Sequence, residues 1–125
     1  MKIFDFYNLS LEELKEFVID FSFKINKKEV YCHGISGWFD AIFEGSEHQI
    51  ILSTNPKSHL THWYQVRFLF KEPIFLQENT ILSGKFKFIV NEQRSYNIIL
   101  EYSCDNQKEK LKNEVYYLNK MEFIK

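Results

Sequence analysis

The sequence has few cysteines, glycines and prolines, and no long hydrophobic run. Two cysteines in 125 residues, Cys32 and Cys104, are too few for a disulfide-stabilised scaffold and favour free thiols. Four glycines provide no G-x-G-x-x-G or Walker-type loop, so no nucleotide-phosphate site is expected. The longest stretch without Asp, Glu, Lys or Arg is Val30–Phe39, too short for a membrane-spanning helix, and no apolar signal segment follows Met1-Lys2. These absences predict a soluble intracellular protein that does not bind membranes.

The sequence also lacks an excess of positive or negative charge. Sixteen Lys and Arg balance seventeen Asp and Glu, for a formal net charge of −1. Nucleic-acid binding needs a basic surplus that displaces counterions from phosphates, so no direct nucleic-acid partner is predicted. The four histidines, His33, His48, His59 and His62, lack the paired spacings of structural zinc sites, and no metal site is predicted.

What the sequence has in abundance is aromatic residues, 18% of the chain, including 13 Phe and 7 Tyr. Aromatic side chains favour the half-buried surfaces of sheets. Apolar residues alternate with polar ones over long stretches, as expected of strands with one buried face. The predicted strands cover residues 17–25, 39–43, 48–53, 62–70, 82–90 and 96–102. We therefore predict a single all-β domain over residues 1–125, an antiparallel β-barrel or sandwich of about six to ten strands.

The connections are less regular. Ser10 followed by Glu12 and Glu13 is typical of a helix start, and at most one short helical segment is expected there. Gly45-Ser46 predicts a tight hairpin with a type II′ turn, in which Gly45 would adopt a positive φ. Pro73 is expected to interrupt a strand. The charged segment Cys104–Glu114 predicts a solvated loop or a hairpin.

Ser53–Val66 is the segment whose side chains are best suited to binding or catalysis. Here His62 and Trp63 adjoin at the predicted change from loop to strand. An imidazole can donate or accept a hydrogen bond near neutral pH, and an indole offers an apolar wall or a π-face to a cation. From the residues alone, two interpretations remain open: a functional pair at the rim of a barrel, or a core or edge aromatic with a polar neighbour.

Several stretches of the sequence resemble the C-terminal β-barrel domain of protein arginine methyltransferases, and most closely the coactivator-associated branch. The resemblance covers roughly residues 14–102 and includes the Thr61-His62-Trp63 loop, a specific marker of that family. The stretches that carry it are His33–Phe43, Leu52–Pro56, Leu60–Arg67, Leu82–Gly84 and Arg94–Tyr96.

The resemblance implies an enzyme whose active site is shared between two domains. A separate N-terminal domain would hold S-adenosylmethionine and two catalytic glutamates, so this chain would bind no cofactor and be inactive alone. His62 is implied as the catalytic residue, orienting the active site through a hydrogen bond to an acidic residue of that domain. The implied substrate-binding residues are Trp63, Tyr64, Thr61 and Phe123.

The resemblance also implies partners and a reaction type. The implied substrates are arginine-containing proteins or peptides, including histones, and the implied product is asymmetric dimethylarginine (type I). The full-length enzyme would be a homodimer and would lie in the cytoplasm, the nucleus or both. An alternative function is a free-standing aromatic-rich barrel that binds a peptide or a small apolar ligand in its mouth. The coding sequence before Met1 distinguishes the two, because a methyl-donor domain should precede the barrel of a methyltransferase.

Overall fold

The computed structural model of the chain describes residues 1–105 and 112–117. This part of the chain contains one short helix and eight strands, so the all-β prediction is confirmed. The elements are α1 Leu11–Lys15, β1 Glu16–Lys24, β2 Glu29–Gly37, β3 Asp40–Glu44, β4 Gln49–Ser53, β5 Val66–Gln77, β6 Ile81–Val90, β7 Tyr96–Cys104 and β8 Lys112–Tyr117. None of the described helices is long and apolar enough to cross a membrane.

The chain divides into two compact units. The first contains Met1–Tyr31 and the described residues from Phe75 onward, and the second is Cys32–Ile74. The prediction of a single domain remains a prediction.

The first unit is built on a four-stranded antiparallel sheet in the order β1-β6-β7-β8. The helix before it begins as the sequence predicts, with Ser10 as N-cap in a capping box with Glu13. It passes directly into β1 after Lys15. The Tyr96 hydroxyl donates to the Leu14 carbonyl oxygen at 2.8 Å and thereby fixes the end of the helix against β7.

The inner face of this sheet carries the predicted alternation. Ile98, Leu100 and Tyr102 are at most 2% exposed, and Leu82 and Phe86 of β6 are also buried. Phe17 of β1 stacks on its cross-strand partner, with 4.6 Å between ring centroids. Aromatic pairs of this kind add to the free energy gained by burying apolar surface.

The second unit contains the β3–β4 hairpin and most of the paired strands β2 and β5, namely their residues 32–37 and 66–74. Phe68, Phe70 and Ile74 form its buried apolar part. Gly34 of β2 lies so close to β5 that an added Cβ would clash with the Phe68 carbonyl oxygen. A side chain at this position is therefore incompatible with the observed strand pairing.

The hairpin between β3 and β4 is confirmed, but the predicted turn type is wrong. No glycine in the described part of the chain has a positive φ, so Gly45 does not form a type II′ turn. Four residues separate the paired ends Glu44 and Gln49, and the Gly45 amide donates to the His48 carbonyl oxygen at 3.0 Å. Glycine suits this position because a Cβ would lie 2.9 Å from that oxygen.

Other differences from the predicted strands concern β5 and β2. The strand expected from His62 begins only at Val66, so His62–Gln65 belong to the preceding loop. It continues through Pro73 to Gln77, which the missing amide of proline permits where that position donates no ladder hydrogen bond. Strand β2 had no predicted counterpart.

Cys104–Glu114 was predicted as a solvated loop or a hairpin, and the antiparallel pairing of β7 with β8 agrees with the hairpin, whereas the ends of the segment are not solvated. Cys104 ends β7 and is buried, and Lys112–Glu114 open β8, which pairs with β7. The Glu114 side chain is only 7% exposed, and its two carboxylate oxygens accept hydrogen bonds at 2.8 Å from the Tyr102 and Tyr116 hydroxyls. A carboxylate with two such donors can be buried at tolerable cost.

Candidate functional site

The loop between β4 and β5 carries the residues that the sequence singles out, and it starts with a hydrogen-bonded turn. The Asn55 side-chain oxygen accepts from the Lys57 amide, and its backbone carbonyl oxygen accepts from the Ser58 amide, both at 2.9 Å. Asparagine commonly closes turns in this way, and Pro56 fixes φ inside the turn. The turn thus gives the first half of the loop a defined course.

A second local motif shapes Thr61–Trp63. The Thr61 hydroxyl donates to the Trp63 carbonyl oxygen at 2.9 Å and is placed to accept from the Trp63 amide at 3.3 Å. Both bonds span two residues, so the backbone curls around the threonine oxygen. This curl presents the side chain of His62, at its centre, to solvent.

The His62 and Trp63 rings lie next to each other and are both accessible. Their centroids are 6.2 Å apart, with ring planes at 90°. Trp63 is 52% exposed and the following Tyr64 is 70% exposed. An accessible imidazole beside an accessible indole can combine a polar group with an apolar wall. This exposure disfavours a core position for Trp63, whereas the interpretation as an edge aromatic stays open.

Trp63 also contacts an aromatic residue from another part of the second unit. The Phe39 ring, just before β3, meets the indole edge-to-face, with 6.0 Å between centroids. Phe39 is 46% exposed, so the two rings form one accessible aromatic surface. The neighbouring Asp40 accepts a hydrogen bond from the Ser53 hydroxyl at 2.5 Å.

Thr54 connects these parts, and sequence reasoning did not identify it. It is only 2% exposed. Its hydroxyl donates to the Phe39 carbonyl oxygen at 2.7 Å and accepts from the Phe39 amide at 3.1 Å. Its carbonyl oxygen accepts from the Gln65 side-chain amide at 2.7 Å. Only the adjacent turn signal Asn55-Pro56 marks this position in the sequence.

The structure therefore brings together three of the sequence-predicted residues, Thr61, His62 and Trp63, with Tyr64 following directly. Phe123 lies outside the described residues, and its role remains a prediction. Within residues 1–105 and 112–117, no three His, Cys, Asp or Glu side chains are grouped so that they could hold a metal ion. The arrangement at the loop is suited to binding through aromatic faces and to orienting a group through one imidazole.

The chain is similar to known arginine methyltransferases. The family model described as "Arginine methyltransferase oligomerization subdomain" matches residues 1–107. The histone-arginine methyltransferase CARMER of Culex quinquefasciatus is 41% identical over 101 residues, which is 81% of this chain and 17% of that protein. CARMER of Drosophila willistoni is 38% identical over 97 residues, 78% of this chain and 18% of that protein. The chain thus spans less than a fifth of the length of these relatives.

A solved structure shows the same fold. A chain of the Trypanosoma brucei PRMT1 enzyme-prozyme heterotetrameric complex with AdoHcy superposes with a TM-score of 0.75 at 21% identity, covering 90% of this chain and 36% of that chain. The predicted fold class and the resemblance to the coactivator-associated branch are both confirmed. The chain belongs to the arginine methyltransferase family and corresponds to its oligomerization subdomain.

Proposed function

We propose that this chain is the C-terminal barrel domain of an S-adenosylmethionine-dependent protein arginine N-methyltransferase. In this proposal its Thr61–Trp63 loop completes an active site whose other half is an N-terminal methyl-donor-binding domain. The observation that carries the proposal is the accessible His62–Trp63 pair on a hydrogen-bonded loop. S-adenosylmethionine would supply the methyl group and would be held by the other domain, so the chain alone should be inactive.

The aromatic residues would bind the substrate. An arginine side chain keeps its charge at any working pH, so it must be held by aromatic faces and carboxylates. Trp63 would line the slot for the guanidinium, with Phe39 behind it, while Tyr64 and Thr61 would border the incoming peptide. A cation against a partly exposed indole gains about 0.5–1 kcal/mol, and more once water is excluded.

His62 would act on the geometry of the reaction. Its imidazole would hydrogen-bond an acidic residue of the methyl-donor domain and hold that carboxylate beside the guanidinium nitrogen that is methylated. Loss of such an orienting bond commonly lowers the rate about tenfold or more.

The finer assignments are proposals, which the names of the relatives support for substrate and assembly and the resemblance to the coactivator-associated branch for the product. The CARMER proteins are named as histone-arginine methyltransferases, and we propose histones and other arginine-containing proteins as substrates, with asymmetric dimethylation as the product. The family description names an oligomerization subdomain, which supports a homodimeric full-length enzyme. A histone-modifying enzyme would work in the nucleus, the cytoplasm or both.

The test uses the full-length polypeptide in which this chain follows its methyl-donor domain. Methyl transfer from labelled S-adenosylmethionine to an arginine peptide is measured for the wild type, His62→Ala and the matched control His48→Ala. His48 is also exposed but lies in the β3–β4 turn, where only its backbone oxygen makes the described hydrogen bond. We expect kcat to fall about tenfold or more for His62→Ala and to stay at the wild-type value for His48→Ala.

Trp63→Ala provides the complementary measurement. It should raise KM for the peptide while leaving KM for S-adenosylmethionine unchanged, because the indole is proposed to contact the substrate alone. Unchanged kinetics in both the His62 and Trp63 variants would contradict the proposed site. Absence of a methyl-donor domain from the coding sequence before Met1 would favour the free-standing binding module instead.

A further inference from the structure

We infer that Thr54 is a positioning residue for Trp63, acting through Phe39 and Gln65. The inference rests on the proposed function of the loop and adds a residue that does not itself reach the substrate. It concerns only the second unit, in which all four residues are described.

The hydrogen bonds at Thr54 are unusual for the end of a hairpin. The last ladder pair joins Asp40 to Ser53, and the Thr54 amide extends the pairing by donating to the Phe39 carbonyl oxygen at 3.0 Å. In a regular ladder the Phe39 amide would then donate to the Thr54 carbonyl oxygen. Here it donates to the Thr54 hydroxyl instead, at 3.1 Å. The side chain thus replaces the backbone in the ladder.

This replacement lets the Thr54 carbonyl oxygen serve another part of the loop. It accepts from the Gln65 side chain at 2.7 Å, across eleven positions of sequence. Gln65 lies two residues after Trp63, and Phe39 packs edge-to-face on the indole. One buried threonine therefore fixes both the ring that supports Trp63 and the backbone that follows it.

The hydroxyl is essential to this arrangement, whereas the methyl group of threonine is not. With valine at position 54, the Phe39 amide would lose its acceptor, the Thr54 hydroxyl, in a partly buried position. The backbone would then have to restore the regular ladder by turning the Thr54 carbonyl oxygen toward Phe39, at the expense of the bond to Gln65. Such a rearrangement is favoured because a donor that is shielded from water costs free energy when it loses its acceptor. Either result, a Phe39 amide without its acceptor or a regular ladder without the bond to Gln65, would displace Trp63.

The kinetic test compares Thr54→Val with Thr54→Ser in the full-length enzyme, at a temperature where both are folded. Thr54→Val should lower kcat/KM for an arginine peptide about tenfold, since a displacement of about 1 Å at a positioning group can cost even more. KM for S-adenosylmethionine should stay the same. Thr54→Ser retains the hydroxyl and should have near wild-type kinetics. The matched control is Thr80→Val, which makes the same change at a buried threonine of the first unit and should leave both kinetic constants unchanged.

A double-mutant cycle tests whether Thr54 acts through Phe39. Phe39→Leu should reduce kcat/KM for the peptide as Thr54→Val does. The double variant should be no worse than the more impaired single variant, because the two changes remove the same support. If the double variant instead lost the product of the two fold reductions in kcat/KM, Thr54 would not act through Phe39, and this part of the inference would be overturned.

A fluorescence measurement on the 125-residue chain gives a readout independent of activity. Trp38→Phe leaves Trp63 as the only tryptophan. In this background, Thr54→Val should increase the acrylamide quenching constant of Trp63 and lower its fluorescence anisotropy, whereas Thr54→Ser should change neither. This keeps the inference testable if the full-length Thr54→Val enzyme folds poorly.

The outcomes separate the inference from the proposed function. Wild-type kinetics in both His62→Ala and Trp63→Ala would overturn the proposed role of the loop. Impaired kinetics in Trp63→Ala together with wild-type kinetics and unchanged fluorescence in Thr54→Val would overturn only the inference. Loss of activity in Thr54→Ser equal to that in Thr54→Val would also overturn it, because the hydroxyl would then be irrelevant.

Discussion

Replacement of Phe86 by alanine should destabilise the protein far more than the same replacement of Phe23. Both rings pack against Phe21, at centroid distances of 5.5 and 5.4 Å. Phe86 is 7% exposed, however, and Phe23 is 46% exposed. Truncation of a buried Phe costs about 3–5 kcal/mol, because the lost transfer free energy is joined by the cost of a cavity. Truncation of the half-exposed ring should cost only about 1 kcal/mol, since roughly half of the ring already contacts water.

Urea denaturation followed by circular dichroism measures this difference. Small proteins have m values of about 1–3 kcal/mol/M, so a difference of about 2 kcal/mol separates the two midpoints by roughly 1 M. The m values of the two variants should agree, which checks that the comparison concerns stability alone. Equal midpoints for Phe86→Ala and Phe23→Ala would refute the inward orientation of Phe86 and with it the register of β1 against β6.

Two further predictions concern the sheet of the first unit: the close approach of Gly84 to β7, and the Tyr116 hydroxyl on β8. Gly84→Ala should lower the free energy of unfolding by about 1–3 kcal/mol, because the new methyl group would clash with the Glu101 carbonyl oxygen. The control is Gly37→Ala in the second unit, where the added Cβ would lie 3.6 Å from Cε2 of Phe68, an ordinary contact distance, and should change the urea midpoint little. Burial, together with the hydrogen bond to Glu114, raises the pKa of the Tyr116 hydroxyl above its ordinary value of 10.0. The stability that this group contributes is complete below pH 10 and is lost as the pH rises further. Tyr116→Phe should therefore lose less stability than the wild type when urea midpoints are measured from about pH 9 to about pH 12. Identical pH profiles for the two proteins would contradict this.

Three of the four strands of the first unit's sheet, β1, β6 and β7, were predictable because apolar and polar residues alternate along them, whereas β8 begins in a charged segment and was not predicted. In β7, Ile98, Leu100 and Tyr102 are buried while Ile99 and Glu101 between them are not. Burial imposes the period of two on the sequence, and the pattern can therefore be read back. Pro73 misled the prediction because a local rule for proline does not reveal which amides the strand needs.

The site was predictable only in part. His62 and Trp63 stood out because the resemblance drew attention to them, whereas their residue types alone left two interpretations open. Thr54 could not be found from the sequence. Its burial and its hydrogen bonds depend on Phe39, fifteen residues away, and on the Gln65 side chain. No short-range pattern contains that information.

The loop and the sheets are held in place by different interactions, which under the proposed function separates activity from stability. The strands are fixed by many backbone hydrogen bonds and buried apolar side chains, so no single one determines their position. Within residues 54–65, all of them described, there is no strand, and the hydroxyls of Thr54 and Thr61 and the Asn55 side chain hold the backbone. Each such bond contributes only about 0.5–1.5 kcal/mol, against a typical total stability of about 5–15 kcal/mol. Loss of one hydroxyl should therefore leave the protein folded while it displaces Trp63, so activity is the more sensitive measure of these residues.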